Sequence, residues 1–426
     1  MIGKIIDYDH KGFGLVKEEE PVFLDGGVIE DLVDYKIINS GKIKRGQINK
    51  IIKPSIFRVK SPCPYSKECG GCPLMETDYK KELEWKREKV RNNLLRIGKI
   101  ETEIEEILGM EDNLHYRNNM QFKIEDGKIG LYSGKTKKIV EIKKCIIQKE
   151  IGNDILKIFQ KFAKTTNIKT LGIRTNYKNQ AMVIMVADSP IKKLNNIINE
   201  LLELNVVSIY ENINKSSKYH YGQKFKHIYG QKSLEDKIFN IKYQLSPQSF
   251  FQVNPRQVEN LYKKAIENLN LEKKDKVLDL YSGIGTISLS LADKVEEVLG
   301  VEQVEEAVED ARKNAEENQI KNARFISGKV ENIIDKLTEE KVYNKVILDP
   351  PRSGVEKTVL ERLLKLEPEK ISYISCNPST QARDLKILKE KYKVEKVMPI
   401  DMFAHSSHVE TVTLLSKLNT EHHLDI

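Results

Sequence analysis

Lys276-Val277-Leu278-Asp279-Leu280-Tyr281-Ser282-Gly283-Ile284-Gly285 decides the fold of the C-terminal half of this chain. Its apolar run reads as a buried strand, and the Gly-x-Gly turn lets the backbone approach a ligand closely before a helix expected from about Thr286 to Ala292. The rhythm then repeats. Val298 to Glu302 forms the next strand; Val304, Ala307, Val308, Ala311 and Ala315 stripe the following helix; Lys345 to Asp349 and Ile371 to Ser375 supply further strands. Alternating strands and helices imply a doubly wound, mainly parallel, Rossmann-like α/β sheet.

Such a sheet binds ligands at the carboxyl ends of its strands. Glu302, at the end of the second strand, can accept two hydrogen bonds from ribose hydroxyls. Ser288 stands where the third glycine of a dinucleotide fingerprint would fall. With no pyrophosphate cradle, the pocket suits S-adenosylmethionine, whose adenosine needs the same acid and no phosphate loop. A generic sheet without such a ligand would share the pattern.

Three further segments reach the same edge. Asp349-Pro350-Pro351-Arg352 leaves a strand through two prolines that present Asp349 in a fixed direction, and Arg352 replaces the aromatic residue that amine methylation favours. Ile374-Ser375-Cys376-Asn377-Pro378 ends a strand with a thiol, and the Asn-Pro turn after it exposes the sulfur where an ordinary cysteine would be buried. Ser406-Ser407-His408-Val409-Glu410-Thr411-Val412 sets Glu410 in a β-branched strand, where a solvated carboxylate would look the same.

Outward from this domain, residues 1 to 54 read as short strands over Gly3 to Tyr8, Gly12 to Lys17, Pro21 to Leu24, Asp34 to Asn39 and Lys42 to Ile52, which predicts a small barrel. Pro54, Pro62, Pro64 and Pro73 mark a junction. Leu83, Val90, Leu94 and Ile97 predict an amphipathic helix from Asp78 to Ile97 with a basic outer face. Residues 115 to 245 return to strand-like runs around a helix from Ile191 to Leu204, an α+β central domain. The expected division is a barrel over 1–54, a central α+β domain over 55–75 and 108–235, and the α/β domain over 76–107 and 236–426.

The cysteines divide in the same way. Cys63, Cys69 and Cys72 lie in the junction, Cys145 follows in the central domain, and Cys376 is the fifth. Three close thiols and a distant one can hold a [4Fe-4S] cluster, a zinc ion or nothing. A net charge of +8 favours a polyanionic partner, and no apolar run is long enough to cross a membrane. The first residues lack a leader's apolar block, so a cytoplasmic location is expected. Lys215 to Lys232 interleaves lysines with Tyr219, Tyr221, Phe225 and Tyr229, which could stack bases or form one side of a solvated hairpin.

Four ordered motifs make the likeness specific: Phe251-Gln252-Val253-Asn254, Asp349-Pro350-Pro351-Arg352, Ser375-Cys376-Asn377-Pro378-Ser379-Thr380-Gln381-Ala382-Arg383-Asp384 and His408-Val409-Glu410. Together they resemble the RNA uracil-5-methyltransferase family, whose C-terminal part is a class I methyltransferase domain. The resemblance implies Cys376 as nucleophile, Glu410 as proton acceptor, and Gln252, Tyr281, Gly283, Glu302 and Asp349 as contacts for S-adenosyl-L-methionine. Residues 1 to 54 are similar to that family's TRAM barrel, an RNA-binding module. The spacing of Cys63, Cys69, Cys72 and Cys145 is similar to the iron-sulfur branch of the family, which implies a [4Fe-4S] cluster, with zinc as the alternative. That branch implies a loop uridine of 23S rRNA as substrate, with a tRNA uridine as the alternative. Outside enzymes, a noncatalytic RNA-binding assembly factor could keep the same fold. No obligate protein partner is evident, and a monomer is expected.

Overall fold

Ile5, Val16, Val22, Leu24, Val33 and Tyr35 are buried, and they alternate along short strands with residues that face outward. That alternation closes five strands into a barrel in the order Ile2–Tyr8, Gly14–Val16, Val22–Leu24, Lys44–Lys53, Leu32–Asn39. The structure is a computed structural model and describes residues 1–39, 43–136, 138–216, 220–340 and 342–418. The second strand is shorter than the expected Gly12 to Lys17, because Asp9 Oδ1 accepts from the amides of Lys11 and Phe13 and turns the chain there. Lys42, the expected start of the last strand, lies outside the described residues.

The chain divides into two compact units. The first comprises Met1–Trp85, Met110–Leu234 and Phe403–His408; the second comprises Lys86–Gly109, Glu235–Met402 and Val409–Ile426. Besides the barrel, the first unit holds a seven-stranded sheet in the order Phe225–Gly230, Val206–Ile213, Ala181–Ala187, Ile168–Thr175, Asn119–Glu125, Lys128–Tyr132, Ile139–Glu141. Helices Glu150–Phe162 and Leu194–Leu202 pack Ile155, Phe159, Ile197 and Leu201 against Phe122, Leu171, Ile173 and Val183 of that sheet. The Tyr221 hydroxyl accepts from Gln121 Nε2 at 3.2 Å and lies over Gly172 of this sheet. Tyr229 is exposed, and Tyr219 lies outside the described residues.

The first long helix departs from expectation in a way that physical chemistry explains. Regular helix runs from Tyr79 to Asn93 and widens into a π-turn over Leu94–Gly98, closed by left-handed Lys99. Ile97 is exposed and Leu83 only half-buried; the buried positions are Glu82, Trp85, Lys86, Val90 and Leu94. Two charged residues can sit inside because each has a partner within its own unit. Glu82 Oε1 accepts from the His405 amide at 2.8 Å, and Lys86 Nζ donates to Asp401 Oδ1 at 2.7 Å.

In the second unit the sheet order is Ala323–Ser327, Glu297–Glu302, Lys276–Leu280, Lys345–Leu348, Lys370–Ser375, Glu410–Lys417, Tyr392–Ile400. The first five strands are parallel and the last two pair antiparallel, so Glu410–Lys417 enters against the grain between its neighbours. Leu278, Leu299, Val346 and Ile371 join one apolar cluster with the helices Val330–Glu340, Lys357–Leu366 and Pro378–Leu388. The alternate residues Val277, Val298, Ile347 and Ile374 are equally buried, so both faces of the sheet are covered. No helix among the described residues is long and apolar enough to cross a membrane.

Candidate active site

Lys276–Leu280 is the middle strand of the parallel set, and its chain leaves through Tyr281, Gly283 and Gly285, all with positive φ. Gly283, at φ +55, has open space where a Cβ would project, so the turn presents bare backbone to the pocket. Glu302 is held over it by two backbone donors, the amide of Gly283 at 3.1 Å and that of Val304 at 2.9 Å. Beneath the turn, Asp279 Oδ1 and Ser282 Oγ are buried without a hydrogen-bond partner among the described residues. Backbone left bare, an oriented acid and orphaned polar atoms fit a polar nucleoside ligand. Ser288, in place of a third glycine, donates to Asp279 Oδ2 at 2.5 Å and so belongs to the floor of this pocket.

Acids dominate the electrostatics here. Burial, with Glu302 nearby, pushes the Asp279 carboxyl up to about 7 against the opposing pull of the Ser288 hydrogen bonds. Burial and then the neighbouring Asp279 charge push Asp349 up to about 7 as well. The Tyr262 hydroxyl bonds Thr286 Oγ1 at 3.0 Å and Gln252, and burial with the Asp349 charge raises it. Gln252, Tyr262, Thr286 and Asp349 therefore meet around one hydroxyl. Tyr281 behaves differently: its ring packs against the apolar core, and its hydroxyl is raised by burial and by Glu331, Glu356 and Asp384.

Register brings the last pair together. Ser375 is the final residue of its strand and pairs with Thr411, so Cys376 follows that last paired step directly on one chain and Glu410 precedes it directly on the other. Thr411 Oγ1 donates to the Ser375 carbonyl at 3.2 Å and bonds Gln381 Oε1 at 2.7 Å, while Gln381 Nε2 donates to the Tyr373 carbonyl at 3.0 Å. Asn377 caps the following helix by accepting from the Ser379 amide, and its Nδ2 donates to the Arg352 carbonyl at 3.1 Å. The thiol is partly accessible. Burial, then Glu410 and Asp349, raise Cys376 to about 12, with Arg352 pulling the other way. Burial and Asp349 raise Glu410 to about 8, again opposed by Arg352. Both groups are thus held toward their protonated forms.

A family model described as tRNA (uracil-5-)-methyltransferase matches residues 78–418. The chain belongs to the tRNA (uracil-5-)-methyltransferase family. It is an S-adenosylmethionine-dependent RNA (uracil-5-)-methyltransferase. An "uncharacterized RNA methyltransferase" of Clostridium tetani is 40% identical over 95% of this methyltransferase and 94% of its own length. Another, of Caldanaerobacter subterraneus, is 39% identical over 97% of each chain. Among solved structures, the Pyrococcus abyssi tRNA (uracil-54, C5)-methyltransferase in complex with S-adenosyl-L-homocysteine superposes with a TM-score of 0.81 at 27% identity. The match covers 97% of this methyltransferase and 100% of that chain.

The remaining thiols of the methyltransferase act on one another. Cys72 is raised well above a free thiol by burial and by Cys145, Cys69 and Cys63. Burial and the charges of Cys69 and Cys63 raise Cys145 to about 11, and Cys69 is raised by burial and by Cys63. Cys63, Cys72 and Cys145 share one apolar cluster with Met75, Tyr116 and Ile147. Among the described residues no group of three or more His, Cys, Asp or Glu side chains is arranged to hold a metal ion.

Sequence reasoning missed Tyr262 and the Lys86–Asp401 pair and assigned no role to Thr286. Only the Asn254-Pro255 helix start hinted at the first of these: Asn254 caps helix Pro255–Asn268, which carries Tyr262 inward.

Proposed function

We propose that the enzyme methylates carbon 5 of a loop uridine in 23S rRNA through a covalent adduct with Cys376. The observation that carries the chemistry is the Ser375–Thr411 pairing, which leaves Cys376 and Glu410 next to each other in the register, one residue beyond it. Carbon 5 of uracil is too weak a nucleophile for a sulfonium methyl group. Addition of the Cys376 thiolate at carbon 6 makes the ring an enolate with charge on carbon 5 and oxygen 4. S-adenosylmethionine, when bound, supplies the methyl group that carbon 5 then takes. Carbon 5 next carries both a methyl and its original hydrogen; Glu410 removes that proton, the ring double bond re-forms, and the Cys376 thiolate leaves. The target base must leave its stack to reach the sulfur, which costs less in a loop than in a helix.

Gly283 and Glu302 are suited to the ribose side of the cofactor, and Gln252, Asp349 and the Tyr281 backbone to its remainder. Residues 1–54 serve as the TRAM-like RNA-binding barrel, residues 55–75 and 108–235 as the central domain, and the rest as the methyltransferase domain, in a monomer working in the cytoplasm. Cys63, Cys69, Cys72 and Cys145 would hold a [4Fe-4S] cluster whose part is structural. Cys69, Cys72 and Cys145 resist ionisation where they are buried near other thiols, so the quartet becomes a stable ligand set only when cations balance its charge, and a cubane takes four thiolates.

The thiol quartet favours ribosomal RNA, as the branch of the family that carries it implies. The similarity to a tRNA (uracil-54, C5)-methyltransferase favours the second reading, a tRNA uridine. Labelled methyl transfer to 23S rRNA and to tRNA, both from cells lacking the gene, decides between them. Product 5-methyluridine in 23S rRNA alone supports the first reading, and product in tRNA alone overturns it.

A further inference from the structure

Asp310, Asn314 and Asn318 follow one another at four-residue steps along the helix Glu305–Glu317 and its cap, so their side chains share one stripe. That stripe grips a single run of chain. Asn318 acts as a neighbouring strand would: its Nδ2 donates to the Lys242 carbonyl at 2.7 Å and its Oδ1 accepts from the Lys242 amide at 3.0 Å. Asn314 Oδ1 accepts from the Gln244 amide at 2.9 Å, further along the strand Ile241–Leu245. Asp310 Oδ2 completes the series by accepting from Ser249 Oγ at 2.7 Å. Ser249 Oγ itself accepts from the Ser246 amide at 3.0 Å, and the Ser249 amide donates to the Ser246 carbonyl at 3.3 Å. The turn from Ser246 to Ser249 is therefore fastened to the helix by one carboxylate.

Gln252 lies between this fastening and a second one at Asn254. Asn254 Oδ1 accepts from the Arg256 amide at 3.2 Å and the Gln257 amide at 3.3 Å, and its Nδ2 donates to the Met402 carbonyl at 3.1 Å. Ser249 and Asn254 thus fix both ends of the short run that carries Gln252. The same helix also reaches the glycine turn. It begins three residues after Glu302, whose carboxylate accepts from the Gly283 and Val304 amides, and its Asn314 Nδ2 donates to the Ile284 carbonyl at 3.5 Å. One rigid element joins the acid suited to the cofactor's ribose to the anchor in front of Gln252.

We propose that Asp310 is a positioning residue for the cofactor: through Ser249 it holds Gln252 in place relative to Glu302, so that both meet one molecule of S-adenosyl-L-methionine. The inference rests on the reading of Gln252 and Glu302 as cofactor contacts. Removing the Asp310 carboxylate frees the turn and leaves both contacts chemically intact, so the loss falls on binding rather than on the methyl transfer step.

The test is calorimetric titration of S-adenosyl-L-methionine into the whole enzyme without RNA. Asp310→Ala is expected to raise the Kd roughly tenfold, Ser249→Ala likewise, and the double variant no further, because all three remove one charge-assisted hydrogen bond. Asp310→Asn keeps an acceptor oxygen and should restore most of the affinity. In turnover the KM for S-adenosyl-L-methionine should rise in Asp310→Ala with kcat little changed. An unchanged Kd in Asp310→Ala overturns the inference even where the melting temperature falls, since the bond would then serve the fold alone. An equal loss in Asp310→Asn overturns it too. Gln252→Ala and Glu302→Ala that bind as tightly as the unaltered enzyme would instead sink the reading of those side chains as contacts.

Discussion

Lys86 Nζ lies 2.7 Å from Asp401 Oδ1 with neither side chain exposed to solvent. Around this pair, Gln257 Nε2 donates to the Asp401, Leu108 and Gly109 carbonyls, and Asn254 Nδ2 donates to the Met402 carbonyl. Removing one charge takes away the buried countercharge of the other. Lys86→Met or Asp401→Asn is expected to destabilise the second unit by roughly 3 to 5 kcal/mol, measured by denaturant unfolding. The double variant should lose less than the sum of the two. Simple additivity would show that the pair is not coupled.

Cys376→Ala should abolish methyl transfer while S-adenosylmethionine still binds. Glu410→Gln should allow addition and methylation and then stall, because no group remains to take the carbon 5 proton. An RNA-protein adduct that survives denaturing electrophoresis is the expected product. Rapid turnover by Glu410→Gln would assign the base elsewhere.

A pH dependence follows from the raised acid. Glu410 accepts a proton only when ionised, and burial holds it up to about 8. Turnover limited by proton removal should rise from pH 6.5 to pH 9 and flatten as Glu410 becomes fully ionised. In Glu410→Asp the inflection should move while the shape persists. A flat profile across this range would separate the rate-limiting step from Glu410.

The same acid should make the empty enzyme less stable as pH rises. A free glutamate titrates near 4.3, so between about 4 and 8 the unfolded chain has lost a proton that folded Glu410 still holds. Its favourable contribution is complete below about pH 4 and lost as pH climbs through 8. Asp279 and Asp349 act in the same direction up to about 7. Glu410→Gln is therefore expected to melt higher than the unaltered enzyme at pH 8, with a smaller gain at pH 5 and none at pH 4, by calorimetry. A lower melting point at pH 8 would contradict this.

Anaerobically purified enzyme should contain about four irons and four sulfides per chain, and Cys72→Ser should lose both. Zinc without sulfide would replace the cluster by a single ion.

Local chemistry explains what could be read from the chain. A strand followed by Ser282-Gly283-Ile284-Gly285, or a thiol followed by Asn377-Pro378, carries its geometry in neighbouring residues, and Gly283, Gly285 and the Asn377 cap behave accordingly. Lys86 was different. Its partner is 315 residues away, and on the helix it looks like any other basic surface position. Tyr262 likewise gains meaning only from Gln252, Thr286 and Asp349, which come from separate elements. At Tyr281 the partly buried ring packs against the apolar core while its backbone, at positive φ, turns the chain toward Gly283.

The reversed strand that brings Glu410 beside Cys376 works as a ruler with steps of one residue. Sliding it by one position would aim Val409 or Thr411 at the sulfur and send the carboxylate through to the opposite side of the sheet. An insertion or deletion between Glu410 and the end of that strand would break this register and carry the carboxylate away from the sulfur.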